Sequence, residues 1–389
     1  MKIKKYIAGG LVAASLLLAA CSNGGQEAET DSDDTVKIGS MFELTGSAAG
    51  YGTSMNNAVK MAVEEINDEG GIDGKELEIF EYDIQSDETQ SAQSTTTLTT
   101  GDEVSAIVGP ALTGTFQAAI PIADQNQVPI ISPTATDDSV LEREDGSVYD
   151  FAYRACFTNS YQGQALAQFA NENLQAENAV IFADNSSDYA QGLTQTFEDT
   201  FQGEIVSVQN FTADQTDFSA SLTNIEDMEF DVLYVPGYYE QAGPIIKQAR
   251  EMGITQPILG PDGFGNEIIY DLAGEANMTN VFYTSHFAVE SEDPTTQEFV
   301  SSYREQFDVE PDMFTGLAYD SVQIVKEAVE RAGSTDPVAI NEEIAKTENF
   351  EGVTGTFSFD ENHNPVKSVS IIEIQEGSPS DIHEVDPAN

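Results

Sequence analysis

Three stretches of the chain concentrate groups able to hold a small charged molecule. They are Leu44-Thr45-Gly46-Ser47-Ala48-Ala49-Gly50-Tyr51-Gly52, Gly109-Pro110-Ala111-Leu112-Thr113-Gly114 and Ser132-Pro133-Thr134-Ala135-Thr136. Each combines small residues, hydroxyls and uncrowded backbone amides, and each follows an apolar run and precedes a helix-like pattern. Amide N–H groups and the positive end of a helix suit a carboxylate without any arginine. Ser, Thr and Gly at helix starts are also ordinary caps. One such stretch says little, but three at consecutive exits from predicted strands point to a binding site.

Patterns for bond-making chemistry do not match. There is no G-x-S-x-G turn, and His286, His363 and His383 are far apart in sequence. No His/Cys pair has metal-ligand spacing. Gly71-Ile72-Asp73-Gly74-Lys75-Glu76 lacks both the spacing of a phosphate loop and the hydroxyl residue after its lysine, and Gly263-Phe264-Gly265 lacks the third glycine of a dinucleotide fingerprint. The expectation is a protein that is no enzyme and uses neither cofactor nor metal. Cys156, set among Phe151, Ala152, Tyr153, Ala155 and Phe157, reads as a buried, inert thiol.

The elements that must position these loops alternate. Val36–Gly39, Leu77–Tyr82, Val104–Val108 and Val128–Ser132 read as strands, with Ala58, Val59, Ala62, Val63 and Ile66 forming one helical face between the first two and a polar helix over 88–100. The alternation resumes with strands at Val180–Ala183 and Val232–Val235, a helix from about Tyr189, a stripe at Ala242, Ile245, Ile246, Ala249 and Met252 before Gly253, and another at Leu317, Ala318, Val322, Val325 and Val329. Repeated strand–helix units predict an α/β fold of parallel sheets, with ligands at the carboxyl ends of strands.

Composition narrows the partners. The 389 residues carry 68 Asp+Glu against 15 Lys+Arg, a net charge of −53, with 40% hydrophobic residues. That is a core-forming chain, with too few cations for a nucleic-acid or anionic-membrane footprint. Residues 1–20 hold Lys2, Lys4 and Lys5 before an apolar run ending near Leu18, too short for a stable span but suited to a cleaved signal. Leu18-Ala19-Ala20-Cys21 resembles the lipobox of bacterial lipoproteins, with Cys21 as the lipidated new N-terminus. Residues 21–35, rich in Gly, Ser and acids, then read as a flexible acidic tether.

The segments KIGSMFELTGSAAGYG, AVEEINDEGGIDGKELEI, SAIVGPALTG, VPIISPTAT, SSDYAQGL, VLYVPGYYEQAG, GPDGFGNE and GVTGTFSFDENHNP together resemble the type I periplasmic binding proteins of branched-chain amino acid ABC transporters, the leucine/isoleucine/valine-binding group, from about Val36 to Ile374. The resemblance implies two Rossmann-like lobes joined by three crossover segments around a ligand cleft. Lobe 1 would comprise 36–154 plus 288–356, and lobe 2 155–287 plus 357–389. Thr113 would stand where the family binds the ligand carboxylate, Thr134, Ala135 and Thr136 where backbone and hydroxyl groups meet the carboxylate and ammonium, and Asp262 where an acid pairs with the ammonium. Tyr51, Tyr189, Tyr238 and Tyr319 would line the cleft. A turn cap is the other reading of Asp262, and core packing that of Tyr319. Two features depart from the family: the cysteine pair some members bridge in the first lobe is absent, and Asp262 is shorter than the glutamate of some leucine binders. The implied protein is a monomeric, lipid-anchored receptor of the cell membrane's outer side that delivers a small zwitterionic amino acid to an ABC permease. A receptor for amides, urea or another small carboxylate is the alternative, and a hydrolase or sensor component on the same scaffold the more distant one.

Overall fold

The computed structural model describes residues 35–385 apart from 288, 290 and 292. The signal segment, Cys21 and all of the tether except Thr35 lie outside the described residues. Thr35 itself is the first residue of a strand.

The first sheet has the order β2-β1-β3-β4-β5 and is parallel throughout, formed by β1 (Thr35–Phe42), β2 (Glu76–Asp83), β3 (Ala106–Val108), β4 (Ile130–Ser132) and β5 (Ala152–Arg154). Three helices connect the first four strands: α1 (Ala49–Asp68), α2 (Glu88–Thr100) and α3 (Thr113–Gln125). The predicted α1 stripe of Ala58, Val59, Ala62, Val63 and Ile66 is buried. Polar α2 is held by its Asp87 cap and by threonine hydroxyls returned to carbonyls one turn back.

The chain then builds a second lobe through α4 (Asn159–Glu172), β6 (Asn178–Asp184), α5 (Asp188–Thr200), β7 (Glu204–Phe211), α6 (Ser219–Ile225), β8 (Val232–Tyr234), α7 (Tyr239–Glu251), β9 (Ile258–Gly260), α8 (Ile268–Ala273) and β10 (Val281–Ser285). It returns to the first lobe with α9 (Pro294–Phe307), α10 (Met313–Ala332), α11 (Pro337–Ile344), β11 (Phe350–Gly352) and β12 (Gly355–Phe357), and α10 packs along α1. It crosses back for β13 (Val369–Gln375) and β14 (Ser378–Val385). Among the described residues the chain thus passes between the two sheets three times.

The second sheet runs β14-β13-β10-β9-β8-β6-β7 and is not purely parallel, which corrects the sequence expectation. β13 is antiparallel to β10 and β14 to β13. The β13–β14 reversal follows from the two-residue turn Glu376-Gly377, with φ of +51° and +78°, the positive pair that a tight hairpin demands, whereas β13 meets β10 antiparallel after the chain's return from the first lobe.

Candidate functional site

β1 leaves the first sheet into Glu43, which is fully buried. Its carboxylate accepts hydrogen bonds from Ala111 N at 3.1 Å, Leu112 N at 3.2 Å and Thr115 Oγ1 at 2.6 Å, which fixes the 109–114 loop against the β1 exit. Burial pushes the Glu43 carboxyl above its ordinary value. Gly52 permits this approach: a Cβ there would lie 2.2 Å from the Glu43 carbonyl oxygen. The next loop is tied in turn, because Ser132 Oγ donates to Pro110 O at 2.7 Å and Thr134 Oγ1 to Ala111 O at 2.8 Å. Thr113 opens α3, so the helix's positive end and first-turn amides stand beside its side chain.

From the facing lobe, Asp262 follows β9 in a single 3₁₀ turn and is 3% exposed. Its Oδ1 accepts from the Tyr189 hydroxyl at 2.5 Å, and Oδ2 lies 3.7 Å from His286 Nε2. The Tyr189 hydroxyl also accepts from Gly263 N at 3.1 Å, and its ring stacks on Tyr238 with centroids 4.8 Å apart. Burial and the adjacent Asp262 raise the Tyr189 phenol well above its usual value. On the floor, Gln162 Oε1 accepts from Asp262 N at 3.1 Å and from Thr284 Oγ1 at 2.9 Å.

These two walls meet over a narrow space of about 20 Å³, lined by Tyr51, Leu112, Thr113, Thr134, Asp262 and Phe314 among others. That is far below the ~300–1,000 Å³ typical of small-molecule pockets, so the lobes stand nearly shut here and a ligand would need them to part. Tyr51 clasps the lobes: its hydroxyl donates to Gly263 O at 2.5 Å and accepts from Tyr239 N at 3.1 Å. The Tyr239 hydroxyl accepts from Gly50 N at 3.0 Å and donates to Ser47 O at 3.2 Å. Thr113, Tyr51, Tyr189 and Tyr238 continue into a wider mouth that also carries Glu88, Asp184, Asp188 and Glu240. Hydroxyls and a helix start on one wall, with a buried carboxylate on the other, can satisfy both ends of a zwitterion.

Of the residues singled out from sequence, Tyr51, Thr113, Thr134, Tyr189, Tyr238 and Asp262 line this cavity. Ala135 and Thr136 are buried but do not. Ala135 gives its N–H to Ser132 Oγ, and its carbonyl accepts from Arg154 Nη1, so its amide is not free for a ligand as packed here. Thr136 Oγ1 is buried with no hydrogen-bond partner among the described residues. Tyr319 is a correction. It faces α1 and α9, its hydroxyl donating to Glu65 Oε2 at 2.7 Å and its ring 5.0 Å from Phe299. Phe314, on the same helix, meets the cavity instead and packs edge-on against Tyr51 at 4.9 Å. The helical period decides this, since positions five apart on α10 differ by about 140° in direction.

Sequence reasoning missed Glu43, Tyr239 and His286. Glu43 stood next to the loop motif it organises; the others depend on contacts across the lobes or between crossovers. Cys156 is buried and its thiol is pushed up to about 12 by burial. Glu373, Asp381 and His383 converge across the β13–β14 hairpin, with ligand-type atoms within 4.8 Å of one another. Their separation in sequence hid that grouping. His383 Nε2 lies 3.1 Å from Glu373 Oε2 there. No helix among the described residues is long and apolar enough to cross a membrane.

The family model for periplasmic binding proteins matches residues 35–379. A leucine-, isoleucine-, valine-, threonine- and alanine-binding protein of Pseudomonas aeruginosa is 27% identical over 350 residues, covering 89% of this chain and 91% of that protein. The crystal structure of the branched-chain amino acid transporter substrate binding protein LivJ from Streptococcus pneumoniae, in complex with isoleucine, is similar at 40% identity and a TM-score of 0.87, over 90% of this chain and 99% of that one. A solute binding protein from R. palustris in complex with benzoate shares the fold at 20% identity and a TM-score of 0.80, over 89% of this chain and 95% of that one.

Proposed function

Because the chain belongs to the periplasmic binding protein family, whose members bind solutes and are not enzymes, we propose that it captures a branched-chain amino acid between its lobes and hands it to an ABC permease. One observation carries the ligand class: the buried Asp262 carboxylate faces Thr113, Thr134 and the start of α3 across a small, tyrosine-lined cavity. A zwitterion would place its carboxylate against the hydroxyls and amides and its ammonium against Asp262, and each charge would then be paired in a desolvated site. Leu112, Phe314 and the tyrosine faces would take an apolar side chain. Division of the two charges between lobes makes closure depend on ligand, as a transport receptor requires. The lobes are assigned as 36–154 plus 288–356 and 155–287 plus 357–389, with Cys21 as the lipid anchor that keeps a monomeric receptor at the outer face of the cell membrane.

Calorimetry of the soluble body against leucine, isoleucine, valine, leucinamide, urea and benzoate tests the ligand class. Saturable binding is expected for the branched-chain amino acids, and silence from all three sinks this reading. An aromatic or aliphatic carboxylate lacking the amine is the second reading, favoured by the ring-lined walls. Asp262 opposes it, because a monoanion would meet a buried carboxylate and a mouth bearing Glu88, Asp184, Asp188 and Glu240.

A further inference from the structure

The second crossover carries a histidine that the ligand reading leaves unexplained. The His286 side chain is fully buried, and neither ring nitrogen has a hydrogen-bond partner among the described residues. A buried polar group without a partner is costly enough to need a reason. Its ring stacks on Phe157 of the first crossover with centroids 3.6 Å apart, which fixes the plane of the imidazole. Nε2 then lies 3.7 Å from Asp262 Oδ2, while the Tyr189 hydroxyl serves Oδ1. Burial drives the imidazole down to about 4, so it is neutral near pH 7 and can offer one N–H.

We propose that His286 is a positioning residue for the cationic end of the ligand: it backs Asp262 from the hinge and, through a contact of Nε2–H with Oδ2, turns the carboxylate toward the cavity. This rests on the amino-acid reading of the same site. A neutral donor serves the purpose where a cation would not, because an imidazolium or lysine at that position would neutralise Asp262 and displace the ammonium. His286 and Phe157 lie on different crossovers, so the contact also ties the orientation of Asp262 to the arrangement of the hinge.

The test compares leucine with 4-methylpentanoate, its deaminated analogue, by calorimetry. His286→Phe keeps the stacking face and removes both nitrogens, and His286→Leu replaces it if the first variant does not fold. The leucine Kd is expected to rise about tenfold as the Asp262 carboxylate loses this polar contact, while any analogue Kd changes less than about twofold. His286→Gln, whose amide can reach the Nε2 position, should restore leucine binding to within about threefold of the unsubstituted protein. In an Asp262→Asn background His286→Phe should have less than about a twofold effect, since residues acting through one another do not add. Equal losses for both ligands, or a full tenfold loss in the Asp262→Asn background, overturn the positioning role and leave the amino-acid reading intact. Failure of the unsubstituted protein to bind any amino acid overturns both, and is read before any variant is made.

Discussion

The Tyr189 hydroxyl donates to Asp262 Oδ1 at 2.5 Å and accepts from the Gly263 amide at 3.1 Å, so one phenol binds the cavity's carboxylate to the turn that carries it. Asp262 is thereby held in one orientation although it sits at the start of a three-residue turn. A carboxylate already ordered and desolvated before binding costs the ligand little to engage.

Asp262→Ala should weaken amino-acid binding by ~2–5 kcal/mol, the range for deleting one partner of a buried charge pair. Tyr189→Phe should weaken it less, by ~1–3 kcal/mol, because the carboxylate stays but loses its donor. Titration calorimetry at pH 7 measures both, and an unchanged affinity for the Asp262 variant removes that residue from the site.

Phe314 and Tyr319 should separate cleanly. Phe314→Ala opens the cavity wall beside Tyr51 and should lower stability by ~3–5 kcal/mol along with ligand affinity. Tyr319→Phe loses only the bond to Glu65 and should leave the ligand Kd unchanged, with stability altered by at most ~1 kcal/mol. A large affinity loss in Tyr319→Phe would return that residue to the cleft.

Glu43→Gln should disturb the carboxylate-binding wall from behind. The glutamine amide presents an NH₂ to a pocket of donors, so at least one of Ala111 N, Leu112 N and Thr115 Oγ1 is left unpaired. A stability loss of ~1–3 kcal/mol in chemical denaturation is expected, together with weaker ligand binding. Normal stability and normal affinity would show that the loop holds itself.

Acid should find His286. An imidazole with an ordinary value of 6.5 when unfolded and about 4 when folded takes up its proton in the unfolded chain first. Its contribution is therefore a stability that is intact above pH 6.5, falls as the pH drops toward 4, and is constant below that. The full span is ~3 kcal/mol. In denaturation curves taken between these pH values, His286→Phe should flatten that part of the profile. An identical slope in the variant would mean other groups control the acid limb.

The surface charge predicts a salt response. A net charge of −53 repels itself, and the Debye length shrinks from ~10 Å at 0.1 M to ~3 Å at 1 M salt. The melting temperature of the soluble body should rise between about 0.05 and 2 M NaCl, consistent with service in a saline or alkaline medium. A flat or falling trend would count against that origin of the acidic coat.

The α/β alternation, the first-sheet strands near Val36, Leu77, Val104 and Val128, and the buried stripes of α1, α7 and α10 were legible in the chain, because periods of 2.0 and 3.6 are written in local pattern. The three hydroxyl-bearing loops were legible for the same reason: each lies at a strand exit, and side chains there need no long-range information to be suspected. The antiparallel β13–β14 edge was not expected, although Glu376-Gly377 carried a weak turn signal.

Which of those groups share a cavity was settled only by the packing of one lobe against the other. Thr134 and Thr136 are two residues apart, yet one lines the cavity and the other is buried outside its lining with its hydroxyl unpartnered among the described residues. Phe314 and Tyr319 lie on one helix, but its turn sends them to different neighbours. Asp262, Tyr189 and His286 are separated by 73 residues in one case and come from different elements, so no spacing rule joins them. Sequence pattern records which face of an element is apolar; where two polar faces meet depends on the sum of long-range burial, and that sum exists only in the folded chain.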